Sequence, residues 1–330
     1  MANITIVGSG VVGSATGRGF ARHGHAVSFV DIDSRRIDEL RREGFAASDE
    51  LRLVGESSFV FLSLPTPNDG PRWDLGPFVG GTRAVAEAVR DSDAIHTVVV
   101  RSTVPPGTTD GVVTRILEET TGGKSGERFT VASNPEFLRA SCALEDFLHP
   151  WMTVFGSRSK RTNERLMELF RPFDGEIHRF EDPRIPEMIK AAHNLFNATK
   201  ISFWNEMWRV GRRLGIDVRD VATVVSRSAE ASINPEYGIH AGEPYGGACL
   251  PKDTKGFIGF ARQEGVDLPL LEAVDEVNEQ IARMARGTFD GDGDGSGTFD
   301  GDGDGTFDGD GDGSGRIDAL VEMSGDGRAA

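Results

Sequence analysis

Through the first half of the chain, short apolar runs closed by glycine, proline or an acid alternate with longer stretches of helical spacing. Asn3-Ile4-Thr5-Ile6-Val7 is apolar and β-branched. Gly8-Ser9-Gly10-Val11-Val12-Gly13 follows, then a small-residue stretch to about His23, so strand, glycine turn and helix are predicted in that order. Val27-Ser28-Phe29-Val30 predicts a second strand ending on Asp31. Phe59 to Leu64 reads as a buried strand closed by Pro65-Thr66-Pro67, Phe78 to Val89 as a helix, and His96 to Val100 as the next strand. Phe129 to Ala132 is a further short strand, ending at Asn134-Pro135-Glu136. From about Pro183 the pattern changes to long helices, over Pro186–Val210, Val218–Ser226 and Leu268–Met284. Pro186 suits a first helical position, where its missing N–H would have no partner anyway. The fold class is therefore α/β: a Rossmann-type doubly wound parallel sheet, then an α-helical central domain and a low-complexity acidic tail. The expected domains are 1–184, 185–286 and 287–330.

Charge and composition change this picture only at the C-terminal end. The net charge is −16 over 330 residues, but residues 287–330 carry 11 Asp and one Glu against two Arg, which leaves −6 for residues 1–286. Gly-Asp tracts bury too little apolar surface to fold unaided, so disorder is expected there. The Asp-x-Asp-x-Asp-Gly spacing is that of a calcium loop. However, the twelfth positions counted from Asp290, Asp300 and Asp308 are Gly301, Gly311 and Ala319, so none supplies the closing carboxylate and only weak divalent-cation binding is expected. The acidic balance and scattered basic residues argue against a nucleic-acid surface. With no basic leader, no bilayer-length apolar run and two distant cysteines, no membrane partner is expected and a cytoplasmic location is. Cys142, beside Ala143 and Leu144, is expected to pack in the core.

The glycine turn carries the first candidate chemistry. Its three glycines, Gly8, Gly10 and Gly13, suit a tight bend, close backbone approach to a pyrophosphate and close helix–strand packing. Val11 and Val12 open the helix whose N-terminal N–H groups face the phosphates. Asp31 stands where a carboxylate accepts ribose hydroxyls and repels a 2′-phosphate, which favours NAD over NADP. Arg36 is a candidate for flanking the adenosine ribose or phosphate, or a solvated helix residue. Thr66, Thr103 and Glu136 fall at the carboxyl ends of strands, where ligands of such sheets bind; each alone also suits a turn or cap.

The second candidate is Tyr245-Gly246-Gly247-Ala248-Cys249-Leu250-Pro251-Lys252-Asp253. Two glycines let other groups approach the sulfur, and Lys252 is a candidate source of the positive charge that a thiolate needs. The alternative is a turn around a buried cysteine. Lys190 and Asn194, spaced i, i+4 on the long helix, share a face and suit a developing oxyanion, or are simply exposed polar residues.

In order along the chain, Gly8–Gly13 with Asp31, Pro65-Thr66-Pro67, Ser102–Thr108, Asn134–Leu138, Lys190 with Asn194, and Gly246–Asp253 resemble the UDP-glucose/GDP-mannose dehydrogenase family over residues 1–286. The resemblance implies an NAD-dependent, two-step oxidation of a nucleotide sugar's primary alcohol to a carboxylate. In it Cys249 carries a thiohemiacetal and then a thioester, and Lys190 and Asn194 stabilise the oxyanions. Asp253 handles water, Thr103 and Glu136 complete the water and proton network, and Lys252 activates the cysteine or contacts the cofactor. A homodimer through the central helices is implied as well. Two departures stand out. The third, nucleotide-binding domain of such proteins is not expected here, where the Gly-Asp tail follows instead. The loop Ser232-Ile233-Asn234-Pro235 lacks a sugar-binding arginine, the nearest upstream being Arg227. The competing readings are a β-hydroxyacid-type dehydrogenase with one hydride transfer, in which Cys249 has no role, and a catalytically silent NAD-binding or interaction protein.

Overall fold

The computed structural model describes residues 1–53, 58–69, 72–228, 243–247 and 249–287. The expected disorder and cation binding of the tail, and the loop at 232–235, lie outside the described residues.

Residues Met1–His193 form one compact unit. Its strands are β1 (Asn3–Val7), β2 (Ala26–Val30), β3 (Ala46–Ser48), β4 (Ser58–Leu62), β5 (Asn68–Asp69), β6 (Arg72–Trp73), β7 (His96–Val100), β8 (Phe129–Ser133), β9 (Met152–Gly156) and β10 (Glu176–Phe180). Eight of them make one sheet in the order β10-β9-β8-β7-β4-β1-β2-β3, while β5 and β6 pair as a small antiparallel ribbon. The helices are α1 (Val11–Arg22), α2 (Ser34–Arg42), α3 (Gly76–Arg90), α4 (Thr114–Thr121), α5 (Ala143–Leu148) and α6 (Lys160–Phe170). A π-turn at Thr109–Val113 leads into α4.

Alternation along the strands feeds two cores, one per sheet face. Ile4, Ile6, Phe59, Phe61 and Val99 join Phe20, Phe29, Phe147, Phe155 and Phe170 in one. Val60, Leu62, Val98 and Val100 join Phe78, Val85, Ile116 and Leu117 in the other. Phe20 centres the first core, with ring centroids of Phe61, Phe147 and Phe170 at 5.3, 5.1 and 5.5 Å. A sheet buried on both faces explains why its strands read as continuous apolar runs.

The sheet is not parallel throughout. β9 runs antiparallel to β8, meeting it at Ser133 and Gly156, and β10 is parallel to β9. The connection from β8, residues 134–151, holds a 3₁₀ turn at Ala140–Cys142 and the six-residue α5, and β9 starts from the end of the sheet where β8 stops. Cys142, expected in the core, is half-buried instead, with its Sγ 3.6 Å from both carboxylate oxygens of Asp146.

The long helix α7 (Arg184–Leu214) begins in this unit, and the division falls within it, after His193. The first turns of α7 stay with the sheet because Glu187 on its first turn is buried there and bonds to residues 107 and 109.

From Asn194 a second unit follows, comprising the rest of α7, α8 (Val218–Ser228), α9 (Leu250–Gln263) and α10 (Pro269–Gly287). Its core is small: Val210, Ala261, Val266 and Leu268, with Leu271 packed against them. The buried Glu206 carboxylate accepts from the N–H groups of Leu270 (2.7 Å) and Leu271 (3.2 Å), capping the start of α10. No described helix is long and apolar enough to cross a membrane.

Candidate active site

Strand order reverses direction about β1, with β2 on one side and β4 on the other, so a crevice opens beyond the carboxyl ends of β1 and β4. A cleft of about 840 Å³ occupies it, lined by Gly8, Gly10, Val11, Val12, Asp31, Arg36, Thr66, Thr103 and Glu136 among others. Local chemistry explains the cradle. Gly8 has φ of 90°, and a Cβ there would strike the Ser63 carbonyl, while a Cβ on Gly13 would strike the Gly8 carbonyl. Gly10 caps α1 without a side-chain acceptor, so the helix presents its first N–H groups to the cleft.

Asp31 is 8% exposed. Its Oδ2 accepts from Ser9 N–H (2.6 Å) and the Ser9 hydroxyl (2.7 Å), its Oδ1 accepts from Asp33 N–H (2.9 Å), and Arg36 Nη1 lies 3.7 Å away. Burial pushes its pKa up, but these donors together with Arg36 outweigh it and hold the carboxyl below its usual range. A fixed carboxylate beside a phosphate-sized cradle at a helix N-terminus fits NAD.

Glu136, one of the residues that line the cleft, is held in a buried ion pair. Lys190 Nζ is 3.1 Å from Glu136 Oε1, with side chains 7% and 14% exposed, and it lies 5.3 Å from the Phe137 ring centroid. Glu136 also accepts from Leu138 N–H (2.5 Å), which fixes its carboxylate. The burial of Lys190 removes the alternative of an exposed polar residue. Thr103 is half-buried, and its carbonyl accepts from the Thr66 hydroxyl (2.7 Å), so two cleft residues brace each other.

Two residues that sequence reasoning missed hold this region together. Arg101 is 5% exposed, and its Nη1 donates to Asn134 Oδ1 (2.8 Å) and to the carbonyls of Asn134 and Pro135 (both 3.3 Å), anchoring the segment that carries Glu136. Burial lowers its pKa to about 10 against the attraction of Glu136. Glu187, 3% exposed, accepts from Gly107 N–H (2.5 Å), Thr109 N–H (2.8 Å) and the Thr109 hydroxyl (2.6 Å). Burial raises its pKa to about 7 despite those donors, with Asp110 adding to the rise. One signal was available: Glu187 precedes Lys190 by three residues, on the same face of the helix.

The remaining candidates belong to the second unit. Asn194 is exposed on α7. Cys249 is a free, exposed cysteine at the N-cap of the 14-residue α9, and its carbonyl accepts from Asp253 N–H (2.8 Å). Lys252 pairs with Asp253 at 3.1 Å, both side chains being well exposed. Among the described residues no cluster of His, Cys, Asp and Glu is arranged to hold a metal ion.

Comparison with known proteins agrees with this geometry. The UDP-glucose/GDP-mannose dehydrogenase family, NAD binding domain, matches residues 2–51 and 44–174, and the central domain of that family matches 184–280. The chain is 33% identical to a GDP-mannose 6-dehydrogenase of Pseudomonas aeruginosa, covering 86% of this chain and 69% of that one. It is 35% identical to a UDP-glucose 6-dehydrogenase of Haloferax volcanii, covering 88% and 73%. Among solved structures, a ternary complex of GDP-mannose dehydrogenase from P. aeruginosa superposes with a TM-score of 0.79 at 33% identity, over 87% of this chain and 70% of that one. A UDP-glucose dehydrogenase from the archaeon Pyrobaculum islandicum gives 0.62 at 33% identity over the same shares.

Proposed function

Because this chain belongs to the UDP-glucose/GDP-mannose dehydrogenase family and is an NAD-dependent oxidoreductase, we propose that it oxidises the primary alcohol of a nucleotide sugar to a carboxylate. When bound, NAD supplies the hydride acceptor, twice per sugar. Gly8–Gly13, Asp31 and Arg36 hold the cofactor, and Thr66 and Thr103 border it.

The chain's own groups supply the rest. Loss of a hydride and the hydroxyl proton turns the alcohol into an aldehyde. Cys249 Sγ adds to its carbonyl carbon to form a thiohemiacetal, whose second hydride loss leaves a thioester. Water then cleaves the carbon–sulfur bond, releasing the acid and restoring the thiol. The Lys190 ammonium and the Asn194 carboxamide donate to the oxyanion at each stage. Asp253 orients or deprotonates the water, Thr103 and Glu136 carry protons, and Lys252 activates the sulfur or contacts the cofactor.

One observation carries the reading: Lys190 is paired at 3.1 Å, buried, with Glu136, a residue of the cleft that Gly8, Asp31 and Thr103 also line. A cation held in a poorly hydrated place beside a cofactor crevice suits a developing negative charge. Incubation with NAD and a panel of nucleotide sugars, following NADH and acid, tests it. Cys249→Ser should stall at or after the aldehyde; a serine variant making acid at the parent rate rules out the covalent route.

A further inference from the structure

Two elements that carry proposed site residues are tied together by a buried side chain, Glu187, that is not among the residues lining the cleft. The loop after β7 leaves the sheet through Ser102 and Thr103. At its front, Ser102 Oγ donates to the Leu64 carbonyl (2.7 Å) and accepts from Leu64 N–H (2.8 Å), while the Thr66 hydroxyl holds the Thr103 carbonyl. At its back the loop turns at Gly107, whose φ is 97°, and enters the π-turn at Thr109. There Gly107 N–H, Thr109 N–H and Thr109 Oγ1 all point at the Glu187 carboxylate, which accepts all three. Glu187 lies one helical turn before Lys190 on α7.

We propose that Glu187 is a positioning residue: its carboxylate clamps the first turn of α7 to the Gly107–Thr109 turn, and so sets Lys190 against Glu136, a residue of the cleft that Thr103 also lines. The inference rests on the proposed oxidation for the roles of Lys190 and Thr103. The clamp is specific to a carboxylate. Both Glu187 oxygens face donors, of which only the Thr109 hydroxyl can also accept, so an amide or a protonated carboxyl would turn its own donor toward one of them and lose at least one of the three bonds; the clamp is complete when the group is ionised. The charged groups around it are engaged elsewhere. Arg184, on the same helix, pairs with Asp182 (2.6 Å), and Arg158 bridges Asp110 (3.0 Å) and Asp182 (3.1 Å). Among the described residues no basic side chain is in ion-pair contact with Glu187. Its partners are the loop's N–H and O–H groups, so loosening it frees the loop directly.

The test compares the parent with Glu187→Gln, Thr109→Val and Thr109→Ser. Two readouts are taken: kcat and KM for the oxidation, and the rate at which an amine reagent labels Lys190 without substrate, followed by peptide mass spectrometry. In the parent, burial and the pair with Glu136 keep labelling slow. Glu187→Gln is expected to lower kcat about tenfold or more while KM for NAD stays within about twofold, and to speed Lys190 labelling severalfold. Thr109→Val, which removes one donor, should shift both readouts the same way by less, and Thr109→Ser should restore them. Parent-level labelling and kcat in Glu187→Gln overturn the clamp. If that variant does not fold, equal labelling in the valine and serine variants overturns it instead. Labelling needs no turnover, so the clamp is still read if the parent oxidises no nucleotide sugar, and that result counts against the proposed function alone.

Discussion

Asp31 brings to the proposed cofactor site a charge already in place. Burial works against its ionisation, but Ser9, Asp33 and Arg36 together keep the carboxyl below its usual range, so it is anionic across neutral pH. Asp31→Asn removes the charge and disturbs the Ser9 contacts. The dissociation constant for NAD should rise about tenfold, equivalent to about 1.4 kcal/mol, while the preference over NADP shrinks. Titration calorimetry with both cofactors reads this directly. Glu187 makes the opposite kind of pH statement. Its folded pKa stands near 7, above the ordinary carboxyl value of 4.5, because burial dominates. Between those values the folded state holds a proton that the unfolded chain has lost, so its contribution to stability is complete below about pH 4.5 and falls as pH rises towards 7. For a shift of this size the loss is about 3 kcal/mol, levelling off above pH 7. Asp110 and Arg184 also face this group. Denaturant unfolding across pH 4.5–7 should show the decline in the parent and a flatter profile in Glu187→Gln; equal slopes would contradict the assignment.

Elements give the site its shape. The helix start at Gly10–Gly13 and the acid at the end of β2 were legible in the sequence because the chemistry is local: turn, helix and strand lie within thirty-one consecutive residues. Lys190 was legible by its spacing from Asn194, but its burial was not, since that depends on Glu136 and Phe137 packing over it from fifty or so residues away. Arg101 and Glu187 escaped notice for the same reason. The partners of Arg101 are 33 and 34 residues away and those of Glu187 78 and 80, and a charged residue's pattern says nothing about distant acceptors or donors. The antiparallel entry of β9 was hidden too, because the apolar pattern of a strand does not carry its direction. In the second unit, Glu206 caps α10 through Leu270 and Leu271. Glu206→Ala should cost about 2 kcal/mol through two lost charge-assisted bonds. Faster hydrogen exchange at the α10 amides would report it, while unchanged exchange would show that the cap does not matter.

At the scale of the whole molecule, exposed apolar side chains are concentrated on α7 and α8. Leu195, Phe196 and Ile201 are 67%, 68% and 63% exposed, and Val224 is 65% exposed. Apolar surface of this kind favours a partner, and a second copy of the chain is the proposed one. Sedimentation velocity should then find a dimer at micromolar concentration, and a monomer there would remove that proposal. The central claim is chemical: the NAD cleft, the Lys190–Glu136 pair and Cys249 serve one four-electron oxidation. The stoichiometry of NADH to product tests it most directly, measured with an accepted nucleotide sugar and excess NAD. The account predicts two NADH for each acid formed, with no aldehyde accumulating. One NADH per product would contradict it.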